Sequence, residues 1–277
     1  MDIGTRVSKS DKDVVLPRPL LAICEGVIRF GDLGDDLTAA AAAGYAAVQI
    51  ETQRVEAVGT EKAARMLGDS GMIISSLGGT VADPLGRQDD SMLLRSIDIA
   101  AELGIPLVAL HPGHLGGLPH QEARARTRSW LEKNGQRAAS VGVGLALEPI
   151  HPIMRHYSWV HTLRHAADLV AGIEGASVLV DVGHLWWDPD LVNDFRQHVE
   201  LIRLVQLTNV NSKSLSELRY ERCALGTGDV PVVEFVEAFR DAGYRGAYEH
   251  EVRLQMPRTD RVAFIRSERE WFAAQFD

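Results

Sequence analysis

The feature that most constrains this chain is a recurring unit: an Ala- or Leu-rich stretch of helical character, a glycine, and then a short aliphatic run of strand character. The unit recurs in "AAAAAGYAAVQIE", "MLGDSGMIISSL", "AAELGIPLVAL", "RAASVGVGLALE", "LVAGIEGASVLVD" and "FRDAGYRGAYEHEV". A glycine closing a helical pattern supplies a left-handed cap, and the aliphatic run after it reads as the next strand. Gly44, Gly71, Gly104, Gly142 and Gly175 fall 27 to 38 residues apart, the length of one strand-helix unit. The gap of 68 residues to Gly243 holds two units, the second strand being "LIRLVQL" at 201–207. With "PLLAIC" at 19–24 as the first, eight strands are expected, each followed by a helical pattern. A doubly wound open sheet would alternate similarly, but the count of eight favours a closed (β/α)8 TIM barrel, an α/β fold. No linker or low-complexity tract interrupts the pattern, so one barrel domain is expected over residues 18–277, preceded by a polar tail or arm at residues 1–17.

The 277 residues are 45% hydrophobic, enough for a sizeable core, and carry a formal charge of −9 without a basic block. That balance disfavours a nucleic-acid partner. The two cysteines, Cys24 and Cys223, have no metal-type spacing and suggest no disulfide framework, which fits a reducing cytoplasm. The polar N-terminus lacks a signal-peptide core, and no run of about 18 apolar residues suggests a membrane span. Neither G-x-G-x-x-G nor G-x-x-x-x-G-K-[ST] occurs, so dinucleotide and P-loop readings lack support.

In such a barrel chemistry gathers at the C-terminal ends of the strands. Strand two ends in Glu51, strand four in His111 of "LVALHPGH", strand five in Glu148 of "LALEPIHP", and strand six in Asp181 and His184 of "DVGH". Strand seven gives Gln206 and strand eight Glu251. Four adjacent strands therefore deliver oxygen ligands, with Gln206 read as in register with Glu148, Asp181 and Glu251. At about 4 Å and an effective dielectric near 20, each pair of carboxylates repels by roughly 4 kcal/mol. A divalent cation resolves that repulsion and lets Glu148 keep its charge at the end of an apolar strand. The alternative for any one acid is a helix N-cap or a solvated loop residue.

"LALEP", the D-x-x-H of "DVGH" and the ending "LGTGDVPVVEFVEAFRDAGYRGAYEHEV" resemble the xylose isomerase-like TIM barrels, which include sugar isomerases and epimerases such as D-tagatose 3-epimerase. The resemblance spans about residues 19–275. It implies one divalent metal held by Glu148, Asp181, the position of Gln206, and Glu251, with His184 and Arg222 contacting substrate oxygens. Gln206 departs from the pattern, because the epimerase-type members have His there. The dehydroshikimate dehydratase branch similarly shows a Gln in a "VQ" strand. An all-oxygen site favours Mn²⁺, with Mg²⁺ or Co²⁺ as alternatives, over zinc. DNA-repair endonuclease IV is another relative, but its His-rich cluster lacks a counterpart here.

His111 and His151 are further candidates for substrate contact. Trp186 and Trp187 are candidates for a pocket wall, the core or a contact between copies. The histidines at 120, 156, 161, 165 and 198 are expected to be solvated, and His250 to point into the helix layer. The resulting expectation is a metal-dependent isomerase or epimerase of a small carbohydrate-like compound acting through an enediolate, with Glu148 and Glu251 as base and acid in either order. A lyase sharing the proton abstraction, of the dehydratase or C-glycoside-cleaving kind, stays open beside it. So does a non-catalytic metal-binding barrel subunit, and assembly as a homo-oligomer is compatible with each.

Overall fold

The computed structural model describes residues 19–252 and 256–276, so the tail expected at residues 1–17 lies outside the described residues. The strands are β1 (Leu21–Cys24), β2 (Ala47–Glu51), β3 (Ile73–Val81), β4 (Leu107–His111), β5 (Gly144–Leu147), β6 (Ala176–Asp181), β7 (Ile202–Leu207), β8 (Asn209–Val210), β9 (Arg222–Cys223) and β10 (Tyr248–His250). Eight of them close a barrel in the order β1-β10-β7-β6-β5-β4-β3-β2, every pair parallel. These are the eight expected strands. β8 and β9 form a separate antiparallel ribbon above the barrel mouth, a feature the repeat pattern does not reveal.

The helices lie outside the strands because each crossover must return the chain to the same end of a parallel sheet. Helix Leu33–Ala42 starts in a capping box, in which Asp32 and Asp35 each accept from the other's backbone N–H. Between strands and helices runs the main apolar core, including Ile23, Ile50, Leu110, Val180, Val205 and Phe239.

The barrel interior has two unlike halves. Ala109, Ala146, Leu179 and Leu204, from β4 to β7, form a small apolar cluster of their own. The opposite half is polar, with buried Cys24, Gln49, Ser75, Ser76, Gln206 and Glu249. β3 carries one extra residue between its pairings Val48↔Ile74 and Ile50↔Leu77, and this bulge lets both Ser75 and Ser76 reach inward to one carboxylate. A side chain at Gly78 would collide with the Gln49 amide at 1.7 Å, so the glycine makes room for that inward amide.

Register corrects one expectation. Asp181 does sit opposite Gln206, but the residue opposite Gln206 on β10 is Glu249. Glu251 stands two residues further up, its N–H bonded to Leu207 O at 3.0 Å. The stagger of strands in a closed barrel is the cause, since a shared position at the mouth is reached from different heights on neighbouring strands.

Candidate active site

Glu148 extends β5 by one ladder bond, its N–H donating to Leu110 O at 3.0 Å, and Pro149 then turns the chain away. Its carboxylate is buried. His111 Nε2 lies 2.9 Å from Glu148 Oε2, and His184 Nε2 lies 3.6 Å from Glu148 Oε1. Asp181 ends β6 and accepts from Gly183 N at 2.8 Å, so it caps the short helix Val182–Leu185 as well as facing the mouth. That helical turn brings His184 back over Asp181, with Nε2 at 3.7 Å from Oδ2. Gly183 is needed for the close approach: a Cβ there would meet the Thr208 side chain at 2.6 Å.

Thr208 Oγ1 lies 3.2 Å from Asp181 Oδ2 and 2.9 Å from the carbonyl oxygen of Glu251, tying the ends of β6 and β10 together. From the ribbon, Arg222 reaches down between them. Its Nη1 is 2.9 Å from Glu251 Oε1 and 3.0 Å from Glu251 O, and its Nη2 is 3.9 Å from Asp181 Oδ2. Tyr220 precedes it, ring centroid 5.1 Å from that of His184.

Burial dominates the electrostatics. It raises the Asp181 carboxyl well above the ordinary range against the pull of Arg222, and Glu251 and Glu148 add to the rise. Burial, then Arg222, hold His184 well below its usual value, leaving a neutral imidazole. Burial also works against the charge of Arg222, but Glu251 and Asp181 outweigh it and raise that group. The Tyr220 phenol is pushed well up, first by burial and then by Asp181.

Glu148, Asp181 and His184 form a buried group whose ligand atoms lie within 4.8 Å of one another and could hold a metal ion. Two nearby buried atoms, His184 Nδ1 and Gln206 Oε1, have no hydrogen-bond partner among the described residues. Buried polar atoms are ordinarily satisfied, so carboxylates clustered beside an orphan amide oxygen fit a cation.

Glu148, His184, Gln206, Arg222, Glu251 and His111 line one cavity of about 1290 Å³, whereas Asp181 is fully buried and does not line it. His151 does not line it. Its Nδ1 accepts from Ile153 N at 3.1 Å, and its ring packs 5.7 Å from Tyr220 and 5.9 Å from Trp187. Trp186 packs on the main core and Trp187 is partly exposed, so neither walls the cavity. His250 points outward as expected, its Nδ1 3.1 Å from Tyr45 OH and its Nε2 3.3 Å from Glu268. His120 and His156 are exposed, but His161, His165 and His198 are half-buried. His165 packs edge-on against Trp159 at 4.8 Å, and burial pushes it down to about 4.

The sequence reading missed the far wall of the cavity, where Gln49 comes from β2, Gln53 and Arg54 from the helix Thr52–Val58 after it, and Arg29 from the cap of the helix Glu25–Ile28 after β1. Gln49 Oε1 is buried without a partner among the described residues. The strand alternation that puts Glu51 at the mouth also puts Gln49 inside, two residues below it, and could have found it.

A closed eight-stranded parallel barrel with buried acids, a histidine and an arginine at the C-terminal mouth defines a TIM-barrel protein with a polar site capable of holding a cation. The chain belongs to the xylose isomerase-like TIM barrel family, whose model matches residues 37–275. Among solved structures it is similar to protein SMc04130 from Sinorhizobium meliloti 1021, at 26% identity and TM-score 0.79 over 91% of this chain and 97% of that one. D-allulose 3-epimerase from Methylomonas sp., solved with D-allulose, shares the fold at 16% identity and TM-score 0.75, over 93% of this chain and 97% of that one. So does the IOLI protein solved with a zinc atom, at 16% identity and TM-score 0.78, over 93% and 99% of the two chains. No curated protein matches the chain. Among the described residues no helix is long and apolar enough to cross a membrane.

Proposed function

We propose that this protein is a divalent-metal-dependent isomerase or epimerase of a small polyhydroxylated carbonyl compound. The observation that carries the reading is the cavity lined by Glu148 and by Gln206, whose amide oxygen is unpartnered among the described residues, with the buried carboxylate of Asp181 within 4.8 Å of the Glu148 and His184 ligand atoms. The fold shared with a protein named D-allulose 3-epimerase supports the substrate class, and the zinc atom in the IOLI structure supports a cation in a barrel of this fold. Glu148, Asp181, Gln206 and Glu251 would hold the ion, and an all-oxygen set favours Mn²⁺ over zinc, with Mg²⁺ or Co²⁺ as alternatives. Bound there, it would supply Lewis acidity that acidifies the C–H between a carbonyl and a hydroxyl of the substrate.

The chain's own groups do the rest. Glu148 or Glu251 takes the proton to leave an enediolate, and the other carboxyl returns a proton at the neighbouring carbon or the opposite face. His111, 2.9 Å from Glu148 Oε2, orients that carboxylate. Neutral His184 and charged Arg222 hold substrate oxygens, Arg222 compensating negative charge as it develops. The ring of Tyr220, beside His184, shields that side of the site from water.

The test is a product assay over ketoses, inososes and dehydroshikimate in D₂O with Mn²⁺ present. The expected product has the substrate's mass apart from deuterium taken up at the exchanged carbon. Loss of water or of an aglycone would instead assign the protein to the lyases that share the proton abstraction. Absence of turnover with the cation bound would favour a non-catalytic role.

A further inference from the structure

One fully buried carboxylate has no part in the chemistry above. Glu249 sits inside the barrel below Glu251 and is 0% exposed. The other half of the interior is filled by Ala109, Ala146, Leu179 and Leu204, so filling the barrel does not by itself require an acid. Ser75 Oγ and Ser76 Oγ donate to its Oε1 at 2.6 and 2.7 Å, and Gln206 Nε2 donates to its Oε2 at 2.9 Å. Cys24 Sγ adds a weak contact to Oε2 at 3.8 Å.

The arrangement bears on Gln206 directly. An amide side chain has an oxygen end and an NH₂ end of almost equal size, and only its partners decide which way it faces. With Nε2 committed to Glu249, the oxygen faces away from that carboxylate. That oxygen is buried without a partner among the described residues, on a side chain that lines the cavity. The flipped amide would set its oxygen against a carboxylate oxygen and place NH₂ where the unpartnered oxygen now stands. A ligand is commonly fixed in this way by a carboxylate behind it.

We infer that Glu249 is a positioning residue: it holds the Gln206 amide with its oxygen toward the cation site, which is what allows a glutamine to serve as a ligand on β7. The serine pair presented by the β3 bulge occupies the far oxygen of Glu249 and leaves the near one for the amide. The inference rests on the cation reading proposed above.

The full chain, stripped of metal by a chelator, is titrated with Mn²⁺, reading free Mn²⁺ by electron paramagnetic resonance, with thermal melts run in parallel. In Glu249→Gln, the new amide can donate to Gln206 and release its orientation, so the Kd for Mn²⁺ is expected to rise about tenfold or more. In the Gln206→Leu background no amide remains to be oriented, and adding Glu249→Gln should leave the Kd of that variant unchanged. An unchanged Kd in the single Glu249→Gln variant overturns the inference. So does an equal loss in both backgrounds, which would mark a through-space charge effect or a general structural role. Wild-type protein that binds no Mn²⁺ fails at the first titration, removing the cation reading and this inference with it. Wild-type binding with an unresponsive Glu249→Gln leaves the cation reading standing and removes this inference alone.

Discussion

Two arcs of the barrel mouth carry buried acids, and they meet the cost of burial differently. On the arc of β1, β2 and the helices that follow them, Arg54 Nε lies 2.6 Å from Glu25 Oε1 and its Nη2 bonds Asp36, while Arg29 Nη2 lies 2.7 Å from Glu51 Oε2. Each of these acids has an arginine within its own arc. On the arc of β5, β6 and β10, Glu148 and Asp181 face a neutral His184, and the described guanidinium that reaches the group is that of Arg222, near Glu251 and Asp181. An acid at a strand end is therefore not a site in itself. What marks the second arc is negative charge in excess of the cations that meet it.

The largest expected effect breaks the second arc. Asp181→Asn and Glu148→Gln should each lose the bound cation and lower turnover by about a hundredfold or more, roughly 2.7 kcal/mol in the barrier. Their melting temperatures should hold or rise, because an under-compensated buried carboxylate has been neutralised. Metal analysis, turnover and calorimetry on the same preparations check all three. Full metal retention in both variants would put the ligands elsewhere.

The first arc should respond the other way. Arg54→Met leaves Glu25 and Asp36, each 1% exposed at the side chain, without their shared cation. A loss of about 3–5 kcal/mol in urea unfolding is expected, with cation binding retained. A change below about 1 kcal/mol would place the two acids among ordinary surface pairs and erase the contrast between the arcs.

The sequence made much of the barrel legible, and for a physical reason. A glycine that closes a helix and an aliphatic run that follows it are local signals, so Gly44 before β2, Gly104 before β4 and Gly243 before β10 each mark a boundary without knowledge of the rest. Residues one step beyond an apolar run, such as Glu148 and Asp181, could likewise be placed at the mouth. Partners distant in the chain could not. Arg54 reaches Glu25 across 29 residues and Ser75 reaches Glu249 across 174, and neither pairing leaves a mark in a single sequence. Register was lost for the same reason: alternation puts Glu249 and Glu251 on one face, but the stagger of the closed barrel decides which of them meets Gln206.

A smaller effect probes how fully Arg54 settles the charge of Glu25. Burial outweighs the bonds from Arg54 and from the Glu51 N–H and raises the Glu25 carboxyl from 4.5 to about 7. The folded protein thus keeps a proton that the unfolded chain releases, and this contribution to stability is lost as pH rises from about 4.5 through about 7. Glu25→Gln is neutral throughout and lacks that slope. Denaturation at pH 5 and pH 8 should show wild type losing stability relative to the variant at the higher pH, whereas an equal difference at the two pH values would mean that Arg54 alone sets the charge.

The smallest expected effect separates the two pairs of the first arc from each other. Arg29 is 52% exposed while its partner Glu51 is 7% exposed, and Arg29 adopts a left-handed φ of 42°, a conformation that side-chain-bearing residues seldom take. Water and salt screen its charge, so Arg29→Met should cost about 0–1 kcal/mol at low ionic strength. At about 1 M salt, where the screening length falls to about 3 Å, that difference should vanish. The penalty of Arg54→Met should survive the same salt, because Glu25 and Asp36 lie out of reach of counterions. If both penalties fell together with salt, the Arg54 cluster would be a screened surface network, and the contrast between the arcs would rest on Arg222 alone.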